Sequence, residues 1–196
     1  MKKHLKRFRK NKIMKPNLGA GDSGRTKILG CKIDKTSQLV SLIGQIDELN
    51  SFVGFSRSLL DFRKHLEFKD IDEILKKIQN HLFLIGSELA GANLKTKVSE
   101  KEVKWLEEVL EKFDKEVEPI SHFIYPTGSI PSSSLQVARA ICRRVEREAF
   151  RFSKRKRIVR SEILAYLNRL SDVLFMLARA INKRMKIQEE FWKVEE

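Results

Sequence analysis

Beyond Ser37, apolar residues recur at three- and four-residue steps almost to the end of the chain. An α-helix gathers residues so spaced onto one face, whereas a strand scatters them. In "SQLVSLIGQIDELNSFVGFSRSLLDF" the stripe comprises Leu39, Leu42, Ile43, Ile46, Leu49, Val53 and Leu60. A second helix is predicted in "DIDEILKKIQNHLFLIGSELAGA", with Ile71, Ile74, Leu75, Ile78, Leu82, Ile85 and Leu89 facing the core. Ser99 and Glu102 form a capping box that opens a third helix through Val103, Leu106, Val109, Leu110 and Phe113. Pro119 and "FIYPTGSIPSSS" interrupt the pattern; a fourth helix is expected from about Ser132 to Ser153 and a fifth from about Val159. No alternating runs accumulate, so the predicted fold is an all-α bundle of five helices.

A chain of 196 residues, 41% of them apolar and with 4 Pro and 9 Gly, suits one globular domain rather than a disordered polymer. There is no run of 18 apolar residues to cross a membrane, and the N-terminus lacks the apolar centre of a secretory signal. Together with two widely separated cysteines, Cys31 and Cys142, this suggests a reduced, cytoplasmic setting. The net charge is +14, but residues 1–16 carry eight Lys or Arg and no acid. We therefore divide the chain into a basic, disordered arm (1–17), a helical domain (18–185) and a C-terminal tail (186–196). The arm reads first as a solvated tail. With "RFSKRKRIVR", expected between helices four and five, it leaves nucleic-acid binding as a rival function.

"GAGDSGRTKILG" contains Gly19-x-Gly21-x-x-Gly24, the spacing of a dinucleotide fingerprint. That fingerprint works between a buried strand and a helix N-terminus. Here a basic, Pro-containing segment precedes it and a turn-like segment follows, so a Rossmann fold is excluded and the glycines are left as an N-terminal loop.

Charges on bundle faces carry more information. Arg139, Arg143 and Arg147 recur every four residues and project from one side of helix four, with Arg144 and Glu146 flanking them. Helix five places Asn168 and Asp172 among leucines, and Asp47 sits among Ile43, Ile46 and Leu49. The plain interpretation is ion pairing along the helix surface, such as Arg143 with Glu146. The alternative is a phosphate cradle, since guanidinium groups bind phosphate oxygens bidentately at any pH. His4, His65, His81 and His122 show no metal-ligand spacing, and none follows a Glu at the three-residue step of a di-iron bundle.

"GDSGRT", "GQIDELNSFVGF", "ARAICRRVERE" and "YLNRLSDVLFMLAR" resemble, in order, the signature segments of ATP:cob(I)alamin adenosyltransferases of the propanediol-utilisation type, over roughly residues 18–182. The resemblance implies a ferritin-like five-helix bundle that assembles as a homotrimer, with ATP, its Mg²⁺ and cob(I)alamin bound at subunit interfaces. It implies that Gly19, Ala20, Gly21, Asp22 and Gly24, with Thr26, Lys27 and Lys35, wrap the triphosphate. Arg143, Arg144, Glu146, Arg147 and Asn168 would face ATP, while Arg139 would pair with Asp47 beside the catalytic centre. Phe123 would pack under the corrin ring, with Asp172 in the same site. The loop departs from the family at Leu18 and Ala20, where threonines are usual, and at Ser23, where lysine is frequent. A flavoprotein reductase and a B12-dependent acceptor enzyme are the implied partners. A noncatalytic carrier of corrinoid or nucleotide is the alternative on the same fold.

Overall fold

The computed structural model describes residues 18–29, 31–61, 65–156 and 159–193; the basic arm lies outside them. The apolar stripes become helices α1 (Gln38–Leu60), α2 (Lys69–Leu89), α3 (Glu100–Asp114), α4 (Ile130–Lys156) and α5 (Ser161–Arg184). A single 3₁₀ turn, Leu66–Phe68, leads into α2. At the start of α3 the Ser99 N–H donates to Glu102 Oε2 at 2.8 Å, the reciprocal half of a capping box, and the Ser99 hydroxyl donates to the same oxygen at 2.6 Å.

Helix α4 is longer than its sequence pattern at both ends. The Ser129 hydroxyl accepts from the Ser132 N–H, and Pro131 falls in the first turn, where a missing N–H costs nothing. At the other end the basic run through Lys156 is helical rather than a loop. Arg and Lys favour helix, and Phe152 is buried there.

The chain after the glycine loop also differs from expectation. It forms an antiparallel hairpin of β1 (Arg25–Ile28) and β2 (Cys31–Asp34), pairing Arg25 with Asp34 and Ile28 with Cys31. Thr26, Ile28 and Ile33 are half-buried while Arg25, Lys27 and Lys32 are exposed. This is true alternation, but four-residue strands are too short for it to stand out in a sequence.

Helix α2 packs on α1, α1 on α4, α4 on α5 and α5 on α3. Fourteen of the residues of α5 are buried, from Ile163 to Asn182, so this helix is enclosed on almost every side. Buried polar ties also cross the bundle: His81 Nδ1 of α2 lies 2.9 Å from the Tyr166 hydroxyl of α5, with the Trp105 ring edge-on to the imidazole, and Ser134 of α4 donates to the Ser56 hydroxyl of α1. Arg184 holds Asp70 and Glu116, and Arg160 holds Glu88 through two hydrogen bonds at 2.6 and 3.0 Å. No helix among the described residues is long and apolar enough to cross a membrane.

Burial lowers the His81 pKa below its ordinary 6.5; the Glu102 carboxylate partly opposes this and the Lys77 ammonium adds to it. The unfolded chain therefore binds this proton at a higher pH than the folded chain does. The stability that neutral His81 contributes is complete above about pH 6.5 and is lost as pH falls towards the lowered folded value. Chemical unfolding of the parent should show stability falling between pH 7 and pH 5, above the main carboxylate range. His81→Gln should flatten that slope; equal slopes for the two proteins would refute this assignment.

Candidate active site

Helix α4 presents Arg139, Arg143 and Arg147 at steps of four, with Arg143 and Arg147 exposed and Arg139 half-buried. None of the three has a carboxylate partner among the described residues. By contrast Arg57, Arg160, Arg169, Arg179 and Arg184 each hold one. Arg139 donates instead to Gln136 Oε1 at 2.7 Å, and its guanidinium lies over the Phe175 ring. Burial, and then the neighbouring Arg143 charge, lower the Arg139 pKa. Surface pairing along the helix, expected from spacing alone, is not what this row does. Glu146 turns away to accept from Asn168 Nδ2 at 2.9 Å, and Arg144 pairs with Glu48 of α1. An unpaired row of guanidinium groups attracts a polyanion.

Asn168, from α5, is fixed on both sides. Its amide donates to Glu146, and its carbonyl accepts from Arg169 Nη1 at 2.5 Å. Arg169 is in turn held by Glu107 of α3 at 3.1 Å. The sequence reading passed over Arg169, although it stands beside Asn168 in "YLNRLSD".

One turn along α5, Ser171, Asp172 and Phe175 face a cleft of about 620 Å³, which Arg139 and Arg143 line from α4. Its far wall is the segment between α3 and α4, with Ile120, His122, Phe123 and Pro126. Phe123 is 77% exposed, so it is not part of the hydrophobic core. Trp192 packs edge-on against it, with ring centroids 6.3 Å apart. The foot of this wall is set by Gly128, at φ +122°, where an added Cβ would lie 2.3 Å from Asn182 Nδ2. Asn182, buried in α5, accepts from the Ser129 N–H and hydroxyl and donates to the Thr127 carbonyl. Helical phase could have found Phe175, three residues after Asp172. Nothing in the aperiodic tail marked Trp192.

The glycine loop turns on itself: Asp22 N–H donates to Gly19 O and Gly24 N–H to Gly21 O. Gly19 and Gly24 adopt positive φ, which favours glycine. The Lys35 side chain lies against Gly21, its Nζ 2.9 Å from where a Cβ would stand. Ala20, Asp22 and Lys27 are exposed and Thr26 is half-buried. Among the described residues, no hydrogen bond or ion pair joins this loop to the α4 arginines.

Nor does the chain form the expected Arg139–Asp47 pair. Asp47 is exposed on α1 beside Phe83 and Ser87 of α2, without an ion-pair partner among the described residues, while Arg139 faces the cleft. The sequence put both residues on helices without fixing which face of the bundle each would occupy.

A protein-family model described as cobalamin adenosyltransferase matches residues 17–181. A corrinoid adenosyltransferase of Bacillus subtilis is 38% identical over 176 residues, which cover 89% of this chain and 90% of that protein. Two solved structures are variants of the PduO-type adenosyltransferase of Lactobacillus reuteri. One, complexed with ATP, aligns with a TM-score of 0.80 at 32% identity, covering 89% of this chain and 98% of the other. The second, complexed with cobalamin and ATP, aligns with a TM-score of 0.79 at 32% identity and covers 89% and 97%.

The unpaired row predicts binding of inorganic tripolyphosphate. Arg143→Ala should weaken it about tenfold or more, the scale of one charge-assisted hydrogen bond, in titration calorimetry. Unchanged affinity would mean that the row is a solvated surface.

Proposed function

As the chain belongs to the cobalamin adenosyltransferase family, we propose that it transfers the 5′-deoxyadenosyl group of ATP to cob(I)alamin and releases triphosphate. It is an ATP:corrinoid adenosyltransferase. The observation that carries this reading is the unpaired arginine row at the mouth of an aromatic-walled cleft: one part suits a triphosphate, the other a flat apolar macrocycle.

The electron pair of Co(I) attacks C5′ of ATP. The Co–C bond forms as the C5′–O bond breaks, cobalt becomes Co(III), and the bonding electrons leave with triphosphate. Co(I) is strongly nucleophilic, so no general base is needed. The protein has two tasks: to stabilise the charge gathering on the leaving triphosphate and to hold C5′ in line with cobalt. Arg143 and Arg147 perform the first, with Asn168, held by Glu146, orienting the nucleotide. Arg144 extends this anionic surface beside Glu48. Mg²⁺ enters with the nucleotide, on its phosphate oxygens. Phe123 covers the lower face of the corrin and excludes an axial ligand, which favours reduction of Co(II) to Co(I); Asp172 lies at the same cleft. The electron comes from a separate reductase, for which a flavoprotein is suited, and the product passes to a B12-dependent enzyme.

The working assembly is a homotrimer in which the glycine loop of one copy, from Gly19 to Gly24 with Thr26, Lys27 and Lys35, closes on the arginine row of the next. Three features support this. A two-stranded hairpin is marginal by itself, yet this one is largely exposed. Asp47 and Arg139 have no ion-pair partner among the described residues. Phe55, Phe83, Val137 and Phe150 are 43–62% exposed on α1, α2 and α4. The free cysteines, Cys31 exposed and Cys142 buried, suit the cytoplasm.

Anaerobic incubation with ATP, Mg²⁺ and cob(I)alamin should give adenosylcobalamin by its spectrum; absence of product at saturating ATP would favour the carrier. Arg143→Ala should slow this reaction by about two orders of magnitude or more. Phe123→Ala should depress turnover started from Co(II) with a chemical reductant more than turnover started from Co(I). Asp47→Lys should shift sedimentation from trimer towards monomer, and a trimer as stable as the parent would remove the Asp47–Arg139 contact between copies.

A further inference from the structure

Residues 187–193 belong to no helix and show no sequence periodicity, yet they are fastened to the bundle at several points. Arg179, on α5 and 4% exposed, donates to both carboxylate oxygens of Glu189 at 2.6 and 2.8 Å, and to the backbone carbonyl of Glu118 at 2.6 Å. One guanidinium thus holds the C-terminal segment and the start of the α3–α4 connection together. Beyond Glu189 the two segments pair. Tyr125 N–H donates to Glu190 O, Ile124 faces Phe191 in an antiparallel bridge, and Trp192 N–H donates to Phe123 O, both hydrogen bonds being 2.8 Å. The same guanidinium lies over the Phe175 ring, 5.8 Å from its centroid, and Phe175 lines the cleft with Phe123 and Trp192.

This arrangement answers a physical difficulty. Phe123 stands 77% exposed on a segment without regular structure, where an aromatic ring would sample many positions. A backbone segment is held in place when a second strand satisfies its N–H and C=O groups. The second strand here is the C-terminal segment, whose anchor in the bundle is the Arg179–Glu189 pair. A bidentate, nearly dry pair of this kind fixes position and direction more firmly than a single surface bridge.

We propose that Arg179 is a positioning residue for the corrin-facing wall: by latching Glu189 it docks the C-terminal segment against residues 123–125 and so sets the Phe123 and Trp192 rings over the cleft. The proposal rests on the reading of this cleft as the corrinoid site. It makes the placement of Phe123 depend on a salt bridge between α5 and the C-terminal segment, and assigns that segment a part in the Co(II) stage of the reaction. Arg179 and Glu189 form no hydrogen bond or ion pair with Arg143 or Arg147 among the described residues, so loss of the latch acts on reduction to Co(I) and spares transfer from Co(I).

Glu189 is the safer partner to change, because it lies outside the helices, whereas removing Arg179 alters the buried face of α5. Trp105 and Trp192 are the only tryptophans, so a Trp105→Phe background makes Trp192 the sole reporter. In that background, Glu189→Ala should red-shift Trp192 emission and raise its quenching by iodide in the free protein. It should also slow turnover from cob(II)alamin with a chemical reductant by about tenfold, below the roughly hundredfold that a full ångström of misplacement can cost, while turnover from preformed cob(I)alamin falls less than about threefold. Glu189→Gln, which keeps a hydrogen bond, should fall between parent and Glu189→Ala in both readouts. Unchanged emission would show that the pair does not hold the segment. Altered emission with unchanged turnover from Co(II) would show that the segment does not position Phe123. Either result overturns the proposal. Phe123→Ala run alongside separates the underlying reading: if it retains full turnover from Co(II), the cleft is not the corrinoid site, and the latch loses its function with it.

Discussion

Enclosure of α5 is the constraint on which the rest of the structure depends. A helix surrounded by neighbours can be apolar on most of its circumference, and each polar group it retains then needs a partner on whatever element faces it. The polar residues of α5 meet that requirement one element at a time. Tyr166 reaches His81 of α2, Asn168 reaches Glu146 of α4, and Arg169 reaches Glu107 of α3. Asn182 holds the turn before α4, and Arg184 joins the start of α2 to the chain beyond α3. Leaving a buried group such as Tyr166 or Asn182 unpaired costs about 1–3 kcal/mol, so these two ties in particular fix which neighbour lies where. Apolar packing alone would fix it less firmly.

The active site is the place where this economy of partners is suspended. Arg57, Arg144, Arg151, Arg160, Arg169, Arg179 and Arg184 meet carboxylates; among the described residues Arg139, Arg143 and Arg147 do not, and the Glu146 carboxylate is taken by Asn168. Unpaired guanidinium groups repel one another, as the lowered pKa of Arg139 beside Arg143 reflects after the larger effect of burial. The protein tolerates that repulsion because Arg143 and Arg147 remain hydrated, and a bound polyanion would relieve it. The apolar wall across the cleft follows the same logic with opposite chemistry, leaving Phe123 and Trp192 uncovered where a globular chain would ordinarily bury them.

The legible parts of the sequence were those with local causes. Helical periodicity located all five helices, the Ser99–Glu102 box marked the start of α3, and the four-residue steps of Arg139, Arg143 and Arg147 put them on one side of α4. Less legible were features that depend on what lies across space. The hairpin after Gly24 looks like a loop in the sequence because its strands are too short to display a period. The end of α4 is hidden because a basic run carries no apolar stripe. The resemblance implies an Arg139–Asp47 pair, but whether such a pair closes within one chain depends on how the helices meet, which a sequence does not state.

By itself, the sequence determined the five-helix bundle, the arginine row and the family, because periodicity, residue chemistry and signature order are all written along one dimension. Tertiary structure alone decided that the row stays unpaired, that Glu146 serves Asn168, and that the tail returns to brace Phe123 through Arg179 and Glu189. Those facts depend on which groups reach the same point from distant parts of the chain. That is settled by the packing angles around α5, and no local spacing encodes them.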